Sequence, residues 1–295
     1  MKSQVFKCHQ KTQSELRPIT ALRHVRLPTS NGRLCTFATR GDRPPVLLLH
    51  GNSFCKEVFV NQIIALRRHG FGVVVPDLPG HGGSDDARSA LTGYSFPGYA
   101  SAIGALMDRL AIAQAHVVGW SLGGHVGLEL LASDKRIRSL LICGAPPVRL
   151  GPGVVARAFH SGPAMELTGW RALSERQAEM YGRAALGGKQ WLANHLLRAI
   201  RRTDGKARYW MVRNSLSGVG ADEAALVQTS PKPLAIVQGR SDPFVRADYL
   251  ESLTYRNLWR GSVRYVDAGH APHWQRPEKF NKLLLEFLND ARQGK

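Results

Sequence analysis

The sequence predicts an α/β fold: one large domain with a mostly parallel sheet flanked by helices and interrupted by an inserted helical cap. Three observations carry that prediction. Short apolar runs, of the kind that form strands buried on both faces, alternate with segments of helical spacing. The alternation stops once, over residues 148–230, a stretch far longer than the dozen or so residues a strand crossover needs. Between one of the strands and the helix after it stands Gly119-Trp120-Ser121-Leu122-Gly123, a turn sequence with small residues two positions either side of a serine.

The elements follow in order. Residues 1–22 are polar and without periodicity, and are expected to form an N-terminal arm. His24–Leu27 and Arg33–Phe37 alternate around the turn residues Asn31-Gly32, which predicts a hairpin. Val46–Leu49 is a continuous apolar run ending at His50-Gly51, and Gly72–Pro76 is another; the helical spacing of 58–69 separates them. A helix over 95–112, with Ile103, Leu106, Met107 and Leu110 on one side, leads to the strand His116–Val118. A helix from about Leu122 to Ala132 and the strand Ser139–Cys143 complete the first half. After the insertion come Leu234–Val237, then Val263–Val266, then a helix over roughly 277–291 that places Phe280, Leu283, Leu284 and Phe287 on one face. The expected organisation is therefore an arm (1–22), a core (23–147 and 231–295) and a cap (148–230). The cap's Trp170, Trp191 and Trp210, with Met165, Met180 and Met211, would either roof Ser121 with apolar surface or form the cap's own core.

Composition excludes several classes. At 295 residues and 43% hydrophobic the chain buries a substantial core as one domain. Its formal charge is +18, but residues 46–148 hold eight basic against seven acidic side chains, and the excess sits in the arm, the cap and the C-terminal quarter. The densest basic group, Arg198, Arg201, Arg202, Lys206 and Arg208, has the spacing of a solvated helix face, so no nucleic-acid partner is expected. There is no run of about 18 apolar residues, so no membrane span is expected. No apolar stretch follows the charges of the N-terminus, so no secretory signal is expected either. Cys8, Cys35, Cys55 and Cys143 include no CxxC pair and no zinc-type spacing with histidine, which fits a reduced, cytoplasmic protein without a metal site.

The chemistry starts at Ser121. A strand that turns this sharply into a helix holds its central residue in a strained conformation and lifts the hydroxyl above the sheet edge, so Ser121 reads as a nucleophile. Such a hydroxyl needs a base and an orienting acid. His270, in Asp267-Ala268-Gly269-His270, lies just past the last strand and is preferred over His273. Asp242, in Gly239-Arg240-Ser241-Asp242-Pro243, lies just past the strand 234–237; its alternative role is to cap the turn before Pro243. The loop after Ser139–Cys143 reads Gly144-Ala145-Pro146-Pro147 and offers no carboxylate. Oxyanion donors are expected at the N–H of Leu122 and at the N–H of Asn52 in His50-Gly51-Asn52-Ser53, with Ser53 the spare.

With these residues in place, the chain resembles the α/β-hydrolase-fold superfamily. HGNS, DLPGHGGSD (77–85), GWSLGG (119–124), GRSDPF (239–244) and AGHAPH (268–273) occur in the order that superfamily uses. The resemblance spans about 24–293 and implies an eight-stranded sheet, a Ser121/Asp242/His270 triad and no cofactor, with His50 and His81 structuring loops. Serine at 121 sets the chain apart from the dehalogenases and epoxide hydrolases, which use aspartate there. A narrower resemblance, carried by Asn52 in HGNS, GWSLGGH (119–125), GAPPV (144–148), SGPAMEL (161–167), SER (174–176) followed by Tyr181, and RTDGKAR (202–208), is to the metal-independent N-acyl homoserine lactonases of this fold. It implies opening of the lactone ring of quorum-sensing signals, with Tyr181 binding the lactone. Trp120 and Trp274 are further expected substrate contacts, Trp274 because it stands close to His270 in sequence. Asp242 stands where that family also admits Glu, and the arm and 272–276 have no clear counterpart. The zinc-lactonase signature HxHxDH is absent. The partner is then a small acyl ester or lactone, with a general carboxylesterase as the alternative activity and a non-catalytic ligand-binding protein as the third reading.

Overall fold

A computed structural model describes residues 24–153, 155–187 and 193–293. The expected arm, with Cys8, and Trp191 of the insertion lie outside the described residues. Eight strands form one sheet in the order β1-β2-β4-β3-β5-β6-β7-β8: β1 His24–Thr29, β2 Gly32–Thr39, β3 Arg43–Leu49, β4 Phe71–Pro76, β5 Ala115–Trp120, β6 Ile137–Cys143, β7 Leu234–Gly239 and β8 Arg264–Val266. The predicted hairpin pairs β1 with β2, Thr29 facing Gly32 across the turn, and β2 runs antiparallel to β4. From β4 to β8 every pairing is parallel.

The helices of seven residues or more are α1 Val60–Arg68, α2 Phe96–Arg109, α3 Leu122–Ser133, α4 Glu175–Leu186, α5 Asn194–Arg202, α6 Gly205–Leu216, α7 Glu223–Thr229 and α8 Pro277–Arg292. Helices α1 and α8 pack together on one face of the sheet, α2, α3 and α7 on the other. Parallel strands covered on both faces are mostly apolar, and β4, β5 and β7 are buried at every position, with His116 and Gln238 hydrogen-bonded to Ser139 and Asp242. On α8 the buried residues are Phe280, Leu284, Phe287 and Leu288, each contributing about 1.5–3 kcal/mol on burial; Leu283 is only partly covered.

Between β6 and β7 the chain forms α4 to α7 and shorter turns, as the broken alternation predicts. Helix α4 starts on a capping box, Ser174 accepting from the Gln177 N–H while the Gln177 side chain accepts from the Ser174 N–H. The basic cluster does not form one solvated face. Arg208 is 3% exposed, and its guanidinium donates to the carbonyls of Trp170, Arg171 and Ile200, tying the insertion's segments together. Arg202 reaches the carbonyls of Gly80 and Ser84 and pairs with Asp86. Helical spacing located these arginines, but the carbonyls that draw them inward come from distant segments. No helix among the described residues is long and apolar enough to cross a membrane.

Candidate active site

Ser121 stands between β5 and α3 with φ 54° and ψ −121°, a left-handed conformation that costs a non-glycine residue about 1–3 kcal/mol. The neighbouring glycines make the turn possible. A Cβ on Gly119 would strike the carbonyl of Gly123, and one on Gly123 would strike the carbonyl of Leu49 in the adjacent strand. The turn is tied to β6 by the Ser121 N–H, which donates to the Cys143 carbonyl at 2.8 Å.

Asp242 and His270 follow β7 and β8 and meet over the same sheet edge. His270 Nδ1 lies 2.9 Å from Asp242 Oδ2 and 3.1 Å from Oδ1. Asp242 Oδ1 also accepts from the N–H groups of Phe244 and Val245, and Oδ2 from the Gln238 amide at 2.7 Å. The turn-capping role and the contact with His270 thus belong to one carboxylate. Burial pushes its pKa up, but His270 and the two backbone donors outweigh burial and hold it below the usual carboxylate range. His270 and Ser121 line one cavity of about 710 Å³. His273 does not reach it: the ring is fully buried against Phe59, Trp120 and Phe280, and burial lowers its pKa to about 3.

Leu122 and Asn52 line the cavity beside Ser121. Ser53, the spare donor, is fully buried with φ 66°. The Asn52 loop is held from the insertion: Tyr181 donates its hydroxyl to the Asn52 carbonyl at 2.9 Å, and the Asn52 amide donates to the Thr168 carbonyl at 3.0 Å. Below the loop His50 donates to the Gly51 carbonyl and accepts from the Leu78 N–H, while His81 donates to the Pro79 carbonyl. Burial lowers the pKa of both rings and favours their neutral forms; His50 bridges the two loops, while His81 bonds within its own.

Two of the three expected substrate contacts sit elsewhere. Trp120 is 1% exposed beneath the site, where its indole N–H donates to the His270 carbonyl at 2.8 Å. The Trp120 ring packs against Phe54, His270 and His273. Trp274 belongs to the helical turn Pro272–Gln275, which carries it round to a separate cavity of about 590 Å³ with Lys56, Asp77 and His195. Tyr181 does line the Ser121 cavity, although its hydroxyl already has a partner in Asn52.

The cavity's remaining wall is largely apolar: Phe96, Leu150, Phe159, Met165, Met211 and Val212. Met165 and Met211 are thus at the wall, whereas Trp170 and Met180 are exposed on the insertion's surface. Sequence reasoning missed one polar pair there. His125, one turn beyond Ser121 on α3, meets Glu223 at the start of α7, 98 positions away. Only an H four residues after the nucleophile hinted at it. Among the described residues no group of three or more His, Cys, Asp or Glu side chains is arranged to hold a metal ion.

The chain as a whole is similar to known hydrolases. A solved variant of the N-acyl homoserine lactonase AidH, complexed with N-hexanoyl homoserine lactone, is 38% identical with a TM-score of 0.87, covering 92% of this chain and 99% of that one. AidH complexed with N-butanoyl homoserine gives 39% and 0.87, over 92% and 98%. The pimeloyl-[acyl-carrier protein] methyl ester esterase of Aeromonas hydrophila is 27% identical over 264 residues, 84% of this chain and 96% of that protein. The carboxylesterase CesB of Bacillus subtilis, at 22% identity and a TM-score of 0.69 over 94% of this chain and 99% of that one, shares the fold. A sequence model of the alpha/beta hydrolase family matches residues 46–283, and the chain belongs to that family.

Proposed function

We propose that this hydrolase opens the lactone ring of N-acyl homoserine lactones, and so quenches quorum-sensing signals, by serine catalysis. The likeness to AidH carries the reading: at 38–39% identity the match covers 92% of the chain, too much to leave out the 148–230 insertion, where hydrolases differ most. In this reading residues 148–230 act as a cap on the core formed by 23–147 and 231–295.

The mechanism follows from the site. Asp242 holds the Nδ1 proton of His270, leaving Nε2 as the base that takes the Ser121 proton while the hydroxyl oxygen attacks the lactone carbonyl. The N–H groups of Leu122 and Asn52 stabilise the oxyanion, a contact worth about 2.7–4 kcal/mol per donor. As the intermediate collapses, the ring C–O bond breaks and His270 protonates the alkoxide, which stays tethered to the acyl group. Water activated by His270 then attacks the acyl-enzyme, Ser121 regains its proton, and the open N-acyl homoserine leaves. No cofactor takes part.

The alternative is a general carboxylesterase, favoured by the kinship with the pimeloyl methyl ester esterase. Measuring kcat/KM on N-hexanoyl homoserine lactone and on a short p-nitrophenyl ester separates the two. The lactone is expected to be the better substrate, and Ser121→Ala to abolish turnover while the circular dichroism spectrum stays unchanged. A hundredfold preference for the simple ester replaces the lactonase reading with the esterase one. A fluorophosphonate that leaves Ser121 unlabelled reduces the protein to a ligand-binding role.

A further inference from the structure

His125 and Glu223 form a buried polar pair that the proposed reaction does not use. The His125 N–H of the backbone donates to the Ser121 carbonyl, so the two residues stand one turn apart, about 6 Å along the helix axis. The ring lies flat on Phe96, with centroids 4.8 Å apart and planes 1° from parallel. Glu223, 0% exposed, holds Nδ1 with both carboxylate oxygens at 3.0 and 2.9 Å, and one of them also accepts from the Val148 N–H. Stacking and the carboxylate fix both the plane of the ring and its rotation. With Nδ1 held by a carboxylate, the neutral ring carries its proton there and offers Nε2 as an acceptor.

That acceptor belongs to a residue lining the Ser121 cavity, and no hydrogen bond to His125 Nε2 forms among the described residues. The other polar groups of the inner wall are engaged. The Tyr181 hydroxyl and the Asn52 amide bond backbone carbonyls, and the hydroxyls of Thr168 and Ser215 bond those of Met165 and Met211. His160, Ser161 and Glu166 are exposed at the cavity rim. Arg246, also on the wall, is paired with Asp248. Outside the proposed triad this leaves the fixed His125 ring, one helical turn from Ser121, as the buried polar group of the wall with a ring nitrogen free of a partner among the described residues.

We propose that His125 is a substrate-recognition residue whose Nε2 accepts the N–H of an amide attached to the carbon next to the scissile carbonyl, with Glu223 as its positioning residue. The proposal rests on the lactonase reading, which supplies such an amide two bonds from the carbonyl carbon, and adds the group that recognises it. A site built to bond a substrate N–H rejects the analogue that lacks it far more strongly than an apolar pocket does.

The test compares N-hexanoyl homoserine lactone with γ-decalactone, an alkyl lactone without the amide, on the wild type, His125→Phe, His125→Gln and Glu223→Gln. Each variant is first checked by thermal melting and by fluorophosphonate labelling of Ser121. In His125→Phe, kcat/KM on the acyl homoserine lactone is expected to fall at least tenfold further than on γ-decalactone. His125→Gln, which restores a polar atom at that reach, recovers part of the difference, and Glu223→Gln shows the same selective loss in weaker form. Equal losses on both lactones, or no loss on either, overturn the proposal. If the wild type ignores acyl homoserine lactones, the lactonase reading fails by itself. The amide contact is then decided by the same ratio on an N-acetyl amino acid methyl ester and its des-amido counterpart.

Discussion

On the floor of the Ser121 cavity, the proposed catalytic side chains stand at the ends of β5, β7 and β8, and two of the three are fixed by their own neighbourhood. Ser121 is held by a backbone turn that only small flanking residues permit, and Asp242 by the N–H groups of the two residues just after Pro243. The roof follows another rule. Tyr181, Thr168 and Glu223 each act through a partner about a hundred positions away in the chain, and Arg208 binds together segments from Ile200 to as far back as Trp170. A floor set by local backbone demands tolerates change above it, whereas a roof defined by long-range bonds is free to diverge with its ligand.

The sharpest way to break the comparison is to remove a floor group without moving the floor. Asp242→Asn keeps the shape and one acceptor for the Phe244 and Val245 donors, but its amide holds His270 in the wrong tautomer. In the proposed mechanism kcat falls by about four orders of magnitude, with Tm nearly unchanged. A loss of less than tenfold would remove Asp242 from the proposed triad and leave it as a turn cap.

The same contrast explains what was legible in the sequence. The strand alternation, the break over 148–230 and the serine turn all rest on local patterns, so β1 to β8 and the positions of Ser121, Asp242 and His270 were readable. Trp274 was placed by its nearness to His270 in sequence, but the turn Pro272–Gln275 redirects it into the other cavity. The spacing of Arg208 gave no sign that carbonyls of the insertion would bury it. The His125–Glu223 contact had no local signature beyond a histidine four residues after the serine, because neither residue dictates the backbone around the other.

Beneath the floor, His273 offers a second perturbation, through pH. Both of its ring nitrogens are buried without a hydrogen-bond partner in the structure, and burial, aided by His270, lowers its pKa to about 3. The folded value lies below the unfolded value of about 6.5, so the neutral ring's contribution is complete above pH 6.5. It is lost as pH falls from there toward 3, by up to about 1.4 kcal/mol per unit. His273→Phe suits the Phe59, Trp120 and Phe280 rings around it and removes this loss. Urea unfolding at pH 7 and pH 4.5 is expected to show a smaller drop in ΔG for the variant than for the wild type. Equal drops would mean that the buried ring takes up its proton without opening the floor.

The smallest expected effect tests whether roof and floor are coupled. Tyr181→Phe removes one hydroxyl and leaves the ring packed near Phe54 and Phe244. The Asn52 carbonyl then loses its donor from α4, while the Asn52 amide remains on Thr168. A neutral hydrogen bond of this kind contributes about 0.5–1.5 kcal/mol, so Tm is expected to drop by only a few degrees. The catalytic reading asks for more than that. If the Asn52 N–H is an oxyanion donor, loosening its loop lowers kcat up to about tenfold with KM nearly constant, because the interaction is made only in the transition state. If Tyr181 instead binds the lactone directly, as the family resemblance implies, KM rises and kcat holds. The split between the two parameters therefore says whether α4 works on the substrate or on the loop beneath it.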